Sequence, residues 1–330
     1  MPKGWFDLAG GFTLSLPLPI ESYRGSIARV KIGATKSEGG SRRYSITVGG
    51  ANTLPFYTFE GLNPPPVLAL EVYDYLNQHP TLAKSFSDVV MDPVEWVRIV
   101  DKFNPDIINL NVRSISPLTL NREVKNALRL VEDVLQATDR PIMVTGIMDP
   151  IHSEDLSRNT EFLKLVAESF KGERLLIGPV TSEAYETVAE AALINDHVLL
   201  AKTNMDVNQA IRFNELLSSK GIPTDRIVMD VTTGALGYGV EYTLSTMERL
   251  RLRALQGDRM AGSPMVFFAS ENVFIVEFKE DSSKLPLYET TAAVAGLMSG
   301  ADMVSLFYVE SLNMIRSFLR EFPWGGDGNL

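Results

Sequence analysis

The chain has 330 residues, 45% of them apolar and 22% charged, proportions that exclude wholesale disorder and allow a large core. A net charge of −10 without any clustered run of Lys and Arg excludes a nucleic-acid surface. With no cysteine, the chain forms no disulfide and holds no thiolate-ligated iron–sulfur cluster.

No segment approaches the roughly 18 uninterrupted apolar residues of a membrane span. The short apolar run at 12–20 is broken by Pro17 and Pro19 and lacks the basic start of a signal peptide, so a cytoplasmic location is expected. Residues 1–62 read as an N-terminal extension. Short strands at 28–32 and 44–48 flank the turn Ser37-Glu38-Gly39-Gly40 and form a β-hairpin, expected to cap one end of the regular part of the chain. Gly49-Gly50 and Asn63-Pro64-Pro65-Pro66 then punctuate the chain.

Over 63–322, apolar runs alternate with helical segments. Strands are expected at 67–72, 107–112, 142–145, 175–177, 198–201, 226–230, 265–269 and 303–307. Helices are expected at 93–103, 121–137, 160–170, 182–195, 206–220, 241–255, 287–299 and 310–322. The helices carry apolar residues at helical spacing, as in Val124, Leu128, Val131 and Leu135. The strands are continuously apolar, the pattern of a parallel sheet covered on both faces. Eight repeats favour closure into an α/β fold of the (β/α)8 TIM barrel type over an open doubly wound sheet. Residues 323–330 form a short tail.

In such a barrel the functional end is where strands finish. The rim then holds Glu71 and Asp74, Asn109, Asn111 and Arg113, Thr145 and Gly146, Gly178 and Thr181. On the later strands come Lys202, Thr203 and Asn204, Asp230 with Thr232 and Thr233, Ser270 and Glu271, and Tyr308 with Glu310. It reads as mostly amide, hydroxyl and glycine, suited to a neutral, amide-rich ligand rather than to hydrolysis. The richest stretch is 226–260: an apolar strand ending in Asp230, the loop Thr232-Thr233-Gly234-Ala235-Leu236-Gly237-Tyr238-Gly239, and an amphipathic helix. Its glycines permit close approach of backbone to a ligand, and Tyr238 offers a ring face and a hydroxyl.

No Ser, His and acid set stands at nucleophile spacing, so no catalytic residue is assigned. His79 and His152 fall in predicted loops and His197 at the start of the fifth strand, so no metal ligands are assigned. Asp230 and Glu71 are equally open to acid–base roles and to anchoring loops. The glycine spacing of 234–239 is wrong for a dinucleotide fingerprint. Arg249, Arg251, Arg253 and Arg259 sit where they would complement a helix dipole and bond local carboxylates.

Two long stretches resemble the small (delta) subunit of the corrinoid iron–sulfur protein of the CO dehydrogenase/acetyl-CoA synthase system. One is Gly33-Ala34-Thr35-Lys36-Ser37-Glu38-Gly39-Gly40, running through Val48-Gly49-Gly50 and Leu54-Pro55-Phe56 to Phe59-Glu60-Gly61. The other is Asp230, Thr233-Gly234-Ala235-Leu236-Gly237-Tyr238-Gly239, Glu241-Tyr242, Met247-Glu248-Arg249 and Ala254-Leu255-Gln256-Gly257-Asp258. Asp206-Val207-Asn208 also resembles the family pattern.

The resemblance implies a barrel paired with a large subunit that carries the 4Fe-4S cluster and a corrinoid (cobalamin) domain. Cobalt would accept a methyl group from a methyl-tetrahydropterin through a methyltransferase and pass it to acetyl-CoA synthase, with this chain capping the corrinoid. On this reading the cofactor-facing residues are Asn109, Asn111, Thr203, Asn204, Thr232, Thr233, Gly234, Gly237, Tyr238 and Gly239. The sequence departs from the family at Ala269-Ser270-Glu271-Asn272-Val273-Phe274, where a Gly-x-Glu-Ala-Trp segment is usual, and at Phe307-Tyr308-Val309-Glu310, where His-Pro-Glu is usual. The alternative expectation is a free-standing pterin-binding corrinoid methyltransferase of the same barrel type.

Overall fold

Each of the eight apolar runs becomes a strand with nearly every side chain buried, covered by helices outside and by the opposite strands inside. In this computed structural model the described residues are 7–8, 12–13, 20–76, 92–149, 153–274 and 282–324. A two-residue antiparallel pair, β1 (Asp7–Leu8) and β2 (Phe12–Thr13), precedes the hairpin of β3 (Arg29–Ile32) and β4 (Ile46–Gly49). The barrel strands are β5 (Val67–Tyr73), β6 (Ile107–Asn111), β7 (Ile142–Thr145), β8 (Leu176–Val180), β9 (Val198–Lys202), β10 (Ile227–Asp230), β11 (Val266–Phe268) and β12 (Met303–Leu306). All neighbours are parallel, in the order β10-β9-β8-β7-β6-β5-β12-β11. The circle closes where Met229 N donates to the Pro264 carbonyl at 2.8 Å, beside a parallel bridge from Met229 to Met265. The fold is a (β/α)8 TIM barrel.

A helix follows each barrel strand: α1 (Pro93–Asp101), α2 (Val124–Ala137), α3 (Ser153–Ser169), α4 (Glu186–Ile194), α5 (Val207–Ser219), α6 (Val240–Leu255), α7 (Leu285–Met298) and α8 (Val309–Leu319). Carboxylate caps set two of the starts. Asp92 accepts from Val94 N at 2.9 Å ahead of Pro93, and Asp206 accepts from Asn208 N and Gln209 N at 2.8 and 2.9 Å. α3 begins at Ser153 rather than at 160, because its first turns bury Asp155 and Asn159 where helical periodicity asks for apolar residues. Both are occupied: Asp155 accepts from Ser116 Oγ at 2.7 Å, and Asn159 bonds Ile147 N at 2.8 Å and the Pro179 carbonyl at 3.1 Å.

The hairpin lies across the end where strands begin. Val30, Ile32 and Val48 pack against Val67, Ile107, Met143, Leu176, Val198, Val228, Val266 and Met303, inward-facing residues near the start of each strand. That end is therefore plugged with apolar side chains, and access is left to the opposite mouth. His197 belongs to the plugged end: Nδ1 accepts from Leu175 N at 3.1 Å and Nε2 stands 3.1 Å from the Ala167 carbonyl. His79 and His152 lie outside the described residues. Arg251 departs from the dipole-complementing expectation; it is 3% exposed and donates to Asp302 Oδ1 at 2.7 Å and the Gly300 carbonyl at 2.6 Å. Among the described residues no helix is long and apolar enough to cross a membrane.

Candidate functional site

Side chains alternate in and out along a strand, so the inward series Val67, Ala69 on β5 ends in Glu71, and Ile107 on β6 leads to Asn109 and Asn111. The same alternation brings Thr145, Lys202, Asp230 and Ser305 to the upper layer of the barrel. Glu71 is the hub of the β12–β5–β6–β7 side. Its Oε1 accepts from Ser305 Oγ at 2.6 Å and Ser270 Oγ at 2.8 Å, and its Oε2 from the Tyr73 hydroxyl. Asn109 Nδ2 reaches Ser305 Oγ at 3.4 Å, while Thr145 Oγ1 lies 3.0 Å from Asn109 Oδ1 and 2.9 Å from Asn111 Oδ1.

Asn111 is the open end of this chain. The residue is 2% exposed, yet its Nδ2 has no hydrogen-bond partner among the described residues. An unsatisfied buried amide costs about 1–3 kcal/mol, which marks this as a place completed by something entering the mouth.

Aromatic rings wall the same side. Tyr73 packs at 5.8–6.1 Å between ring centroids against Trp96, Phe274 and Phe307. The Arg113 guanidinium lies over Tyr73 at 4.7 Å and Phe274 at 5.4 Å, and takes no hydrogen bond or ion pair among the described residues. Burial works against its charge, but Tyr73, Glu271 and Glu71 raise its pKa above the ordinary value. Burial lifts the Glu271 carboxyl to about 7, with Arg113 opposing and Glu71 and Asp149 adding to the rise. Glu271 likewise takes no hydrogen bond among the described residues.

On the β9–β10 side, Lys202 Nζ donates to Asp149 Oδ1 at 2.6 Å and to the Met148 carbonyl at 2.9 Å, and stands 4.0 Å from Asp230 Oδ2. Burial disfavours this ammonium, but Asp230 and Asp149 hold its pKa above the usual lysine value. Asp230 is 1% exposed, and burial raises it to about 6 against the opposing pull of Lys202 and the Thr232 N–H. The mouth thus concentrates Glu71, Asp149, Asp230 and Glu271 against Lys202 and Arg113. These charges stand among the amides and hydroxyls expected of the rim.

Asp230 also braces the loop after β10. Its Oδ1 accepts from Thr232 N at 2.8 Å, its carbonyl from Thr203 N at 2.8 Å, and Thr232 Oγ1 donates to the Thr203 carbonyl at 2.7 Å. Thr232 holds the left-handed conformation, φ 61°. Thr233 Oγ1 accepts from Phe268 N at 3.0 Å, and Gly234 N donates to Thr243 Oγ1 at 2.8 Å. Gly234 is required by the loop itself, since a Cβ there would stand 2.5 Å from the backbone of Gly239. Gly237 and Gly239 have φ of 79° and 91°, and the Tyr238 side chain is 59% exposed on the outer turn.

The ten residues expected to face a cofactor therefore fall in three places. Asn109 and Asn111 stand in the barrel axis. Thr203, Asn204 and Thr232 line a cleft of about 610 Å³ beside Lys202, Thr181 and Arg212, where the Thr203 hydroxyl is buried without a hydrogen-bond partner among the described residues. Thr233, Gly234, Gly237, Tyr238 and Gly239 form the loop beyond, with Thr233 and Gly234 engaged internally. The connecting roles of Thr145, Ser270 and Ser305 escape a reading of the sequence. Their signal is a hydroxyl at or just past the end of an apolar strand, at the level where Asn109 also stands.

Residues 29–307 match the family model described as the CO dehydrogenase/acetyl-CoA synthase delta subunit. Two curated relatives are the acetyl-CoA decarbonylase/synthase complex subunits delta of Archaeoglobus fulgidus and Methanopyrus kandleri. The first is 40% identical over 74% of this chain and 54% of its own length; the second is 34% identical over 88% and 74%. The chain thus spans about half the length of the Archaeoglobus relative. Among solved structures, dihydropteroate synthase of Burkholderia cenocepacia complexed with 7,8-dihydropteroate superposes with a TM-score of 0.55 at 14% identity, covering 90% of this chain and 99% of that one. Dihydropteroate synthase of Xanthomonas albilineans with 4-aminobenzoic acid gives 0.55 at 14% identity, covering 82% and 98%. At that identity the likeness is one of fold.

Proposed function

The chain belongs to the CO dehydrogenase/acetyl-CoA synthase delta subunit family, and on that premise we propose that it is the small subunit of a heterodimeric corrinoid iron–sulfur protein, its mouth capping a corrinoid held by a large subunit. The barrel unit, 63–322, carries the mouth, and the extension, 1–62, and tail, 323–330, lie outside that unit. The observation that carries the reading is the buried Asn111 Nδ2, without a hydrogen-bond partner among the described residues, in a mouth with no cysteine and, among those residues, no cluster of metal-ligating side chains. Such a mouth fits a macrocycle fringed with hydrogen-bonding amides and ligated elsewhere.

When bound, a corrinoid supplies a cobalt that takes up and gives up a methyl group. Asn111 and Phe274 would face such a ligand from the axis, with Asn109, Tyr73 and Phe307 buried behind them, and Thr203, Asn204 and Thr232 from the cleft. Together they exclude water from its reactive face, which limits side reactions. The 4Fe-4S cluster belongs to the large subunit, since this chain offers no thiolate. The methyl donor is a methyl-tetrahydropterin, acting through a methyltransferase, and the acceptor is acetyl-CoA synthase.

Co-expression with a large subunit tests the proposal. The two chains are expected to co-elute, with the corrinoid spectrum of the large subunit shifted relative to that subunit alone. Separate elution with an unchanged spectrum would overturn it.

A further inference from the structure

The outer surface of α7 is unlike that of its neighbours. Each of the other seven barrel helices turns at least one charged side chain to solvent, from Glu95 on α1 to Glu310 on α8, whereas the single charge of α7, Glu289, is buried. Its carboxylate accepts from Phe307 N at 2.5 Å and from Tyr308 N at 3.0 Å, holding the turn after β12. What α7 leaves outside is a stripe at helical spacing: Leu287, Thr291, Val294, Ala295 and Met298. Leu287 and Met298 are 56% and 62% exposed, although the opposite side of the helix, from Leu285 to Leu297, is already packed in the core. A helix apolar on both sides is ordinarily covered on both sides.

The stripe has extent and direction. From Leu287 to Met298 the helix rises roughly 17 Å. α8 widens the stripe, since Met314 is 37% exposed and its sulfur stands 4.0 Å from Thr290 Oγ1. Barrel helices run back from the mouth, so Leu287 in the first turn of α7 lies toward the rim and Met298 in the last turn toward the plugged end. Single exposed apolar side chains are ordinary on a protein surface. An uncharged row of them along a whole helix is the mark of a contact face.

We propose that the α7 stripe, with Met314 beside it, is a docking face for an uncharged apolar surface of the large subunit, so that one partner both caps the mouth and extends down the flank of the barrel. This rests on the reading of the chain as the small subunit of a heterodimer and adds where the two chains hold together. A partner seated over the mouth already stands near Leu287, and the stripe continues from there to Met298 with no charge in its path. A second copy of this chain fits the face less well: each copy carries a net charge of −10, which opposes self-association, and the stripe offers no countercharge. Association through such a face is hydrophobic rather than ionic, as in permanent complexes.

The test measures the affinity of the full chain for the separately purified large subunit by surface plasmon resonance. Leu287→Glu and Met298→Glu probe the stripe, and Leu193→Glu, at an exposed position on α4, serves as the control on another flank. All three side chains are exposed in the free chain, and each variant is checked for an unchanged circular dichroism spectrum. Both stripe variants are expected to bind at least about tenfold more weakly, because each places a carboxylate in an apolar contact, while the control stays within about threefold of wild type. Binding unmoved by Met298→Glu would confine the contact to the mouth and overturn the docking face, as would a control that weakens binding equally; either result leaves the small-subunit reading in place. A wild-type chain that dimerises alone in sedimentation, and loses the dimer in the stripe variants, would give the face to a second copy and likewise overturn the proposal. No binding of the wild type to the large subunit would overturn the small-subunit reading itself.

Discussion

Ser305 donates its hydroxyl to the carboxylate of Glu71 at 2.6 Å, tying β12 to β5 at the level where the barrel opens. Both residues are fully or almost fully buried, and the same serine oxygen receives Asn109 Nδ2 from β6. Removing the hydroxyl leaves Glu71 with two donors and Asn109 Nδ2 with none. Ser305→Ala is therefore expected to lower stability by about 1–3 kcal/mol, measured by urea unfolding. Ser270→Ala removes a single bond to the same oxygen and is expected to cost less.

The loop after β10 makes different demands on its two central glycines. An added Cβ at Gly234 would stand 2.5 Å from Gly239 backbone, whereas at Gly237 it meets nothing within 4 Å and only the φ of 79° resists it. Gly237→Ala is expected to cost about 1 kcal/mol from backbone strain alone. Gly234→Ala should cost more, and hydrogen exchange should rise in residues 232–240. Equal effects at the two positions would contradict the packing described.

The fold was legible because both of its periods are strong. All eight barrel strands are short apolar runs that burial on both faces demands, and the helix stripes in α2 and α6 follow from helical spacing. What escaped was polar chemistry placed where an apolar residue was expected. Asp155 and Asn159 hid the start of α3, and Ser305 hid within a strand legible only by its hydrophobicity. Of the charges at the mouth, Glu71, Lys202, Asp230 and Glu271 were legible as strand-end residues, and Asp149, four residues past the end of β7, was not; its bond to Lys202 forms only when the sheet closes. Asp230 was equally open as acid or anchor, and its bonds to Thr232 and Thr203 weigh toward anchor.

Arg251 and Asp302 form a buried pair at the opposite end of the barrel, with 4% and 8% of their side chains exposed. Asp302 Oδ2 also accepts from Met265 N at 3.0 Å, beside the seam where the barrel closes. Arg251→Met keeps much of the side-chain volume but leaves a buried carboxylate without its cation. A loss of about 3–5 kcal/mol is expected, read as a lower urea midpoint. Replacing both partners together should cost less than the sum of the two single changes.

His197 and Glu271 titrate at opposite ends of the barrel and bend the stability curve in opposite directions. Burial lowers the His197 imidazole to about 4 from 6.5, opposed by its bond to the Ala167 carbonyl. Below pH 6.5 the unfolded chain takes up this proton while the folded chain resists it, so stability falls as pH drops toward 4, by up to about 3 kcal/mol. Glu271 rises to about 7 from 4.5, so the folded state holds its proton longer than the unfolded one. Its contribution is fully present below pH 4.5 and is lost as pH climbs through 7. Glu271→Gln should consequently be more stable than wild type at pH 8, on the order of 1 kcal/mol after allowing for its partial exposure. The gain should shrink to nothing near pH 4.5, and urea melts of the variant and wild type at pH 5, 6.5 and 8 would show it. A gain of the same size at pH 5 would mean that the cost of burying the charged carboxylate is not what Gln relieves.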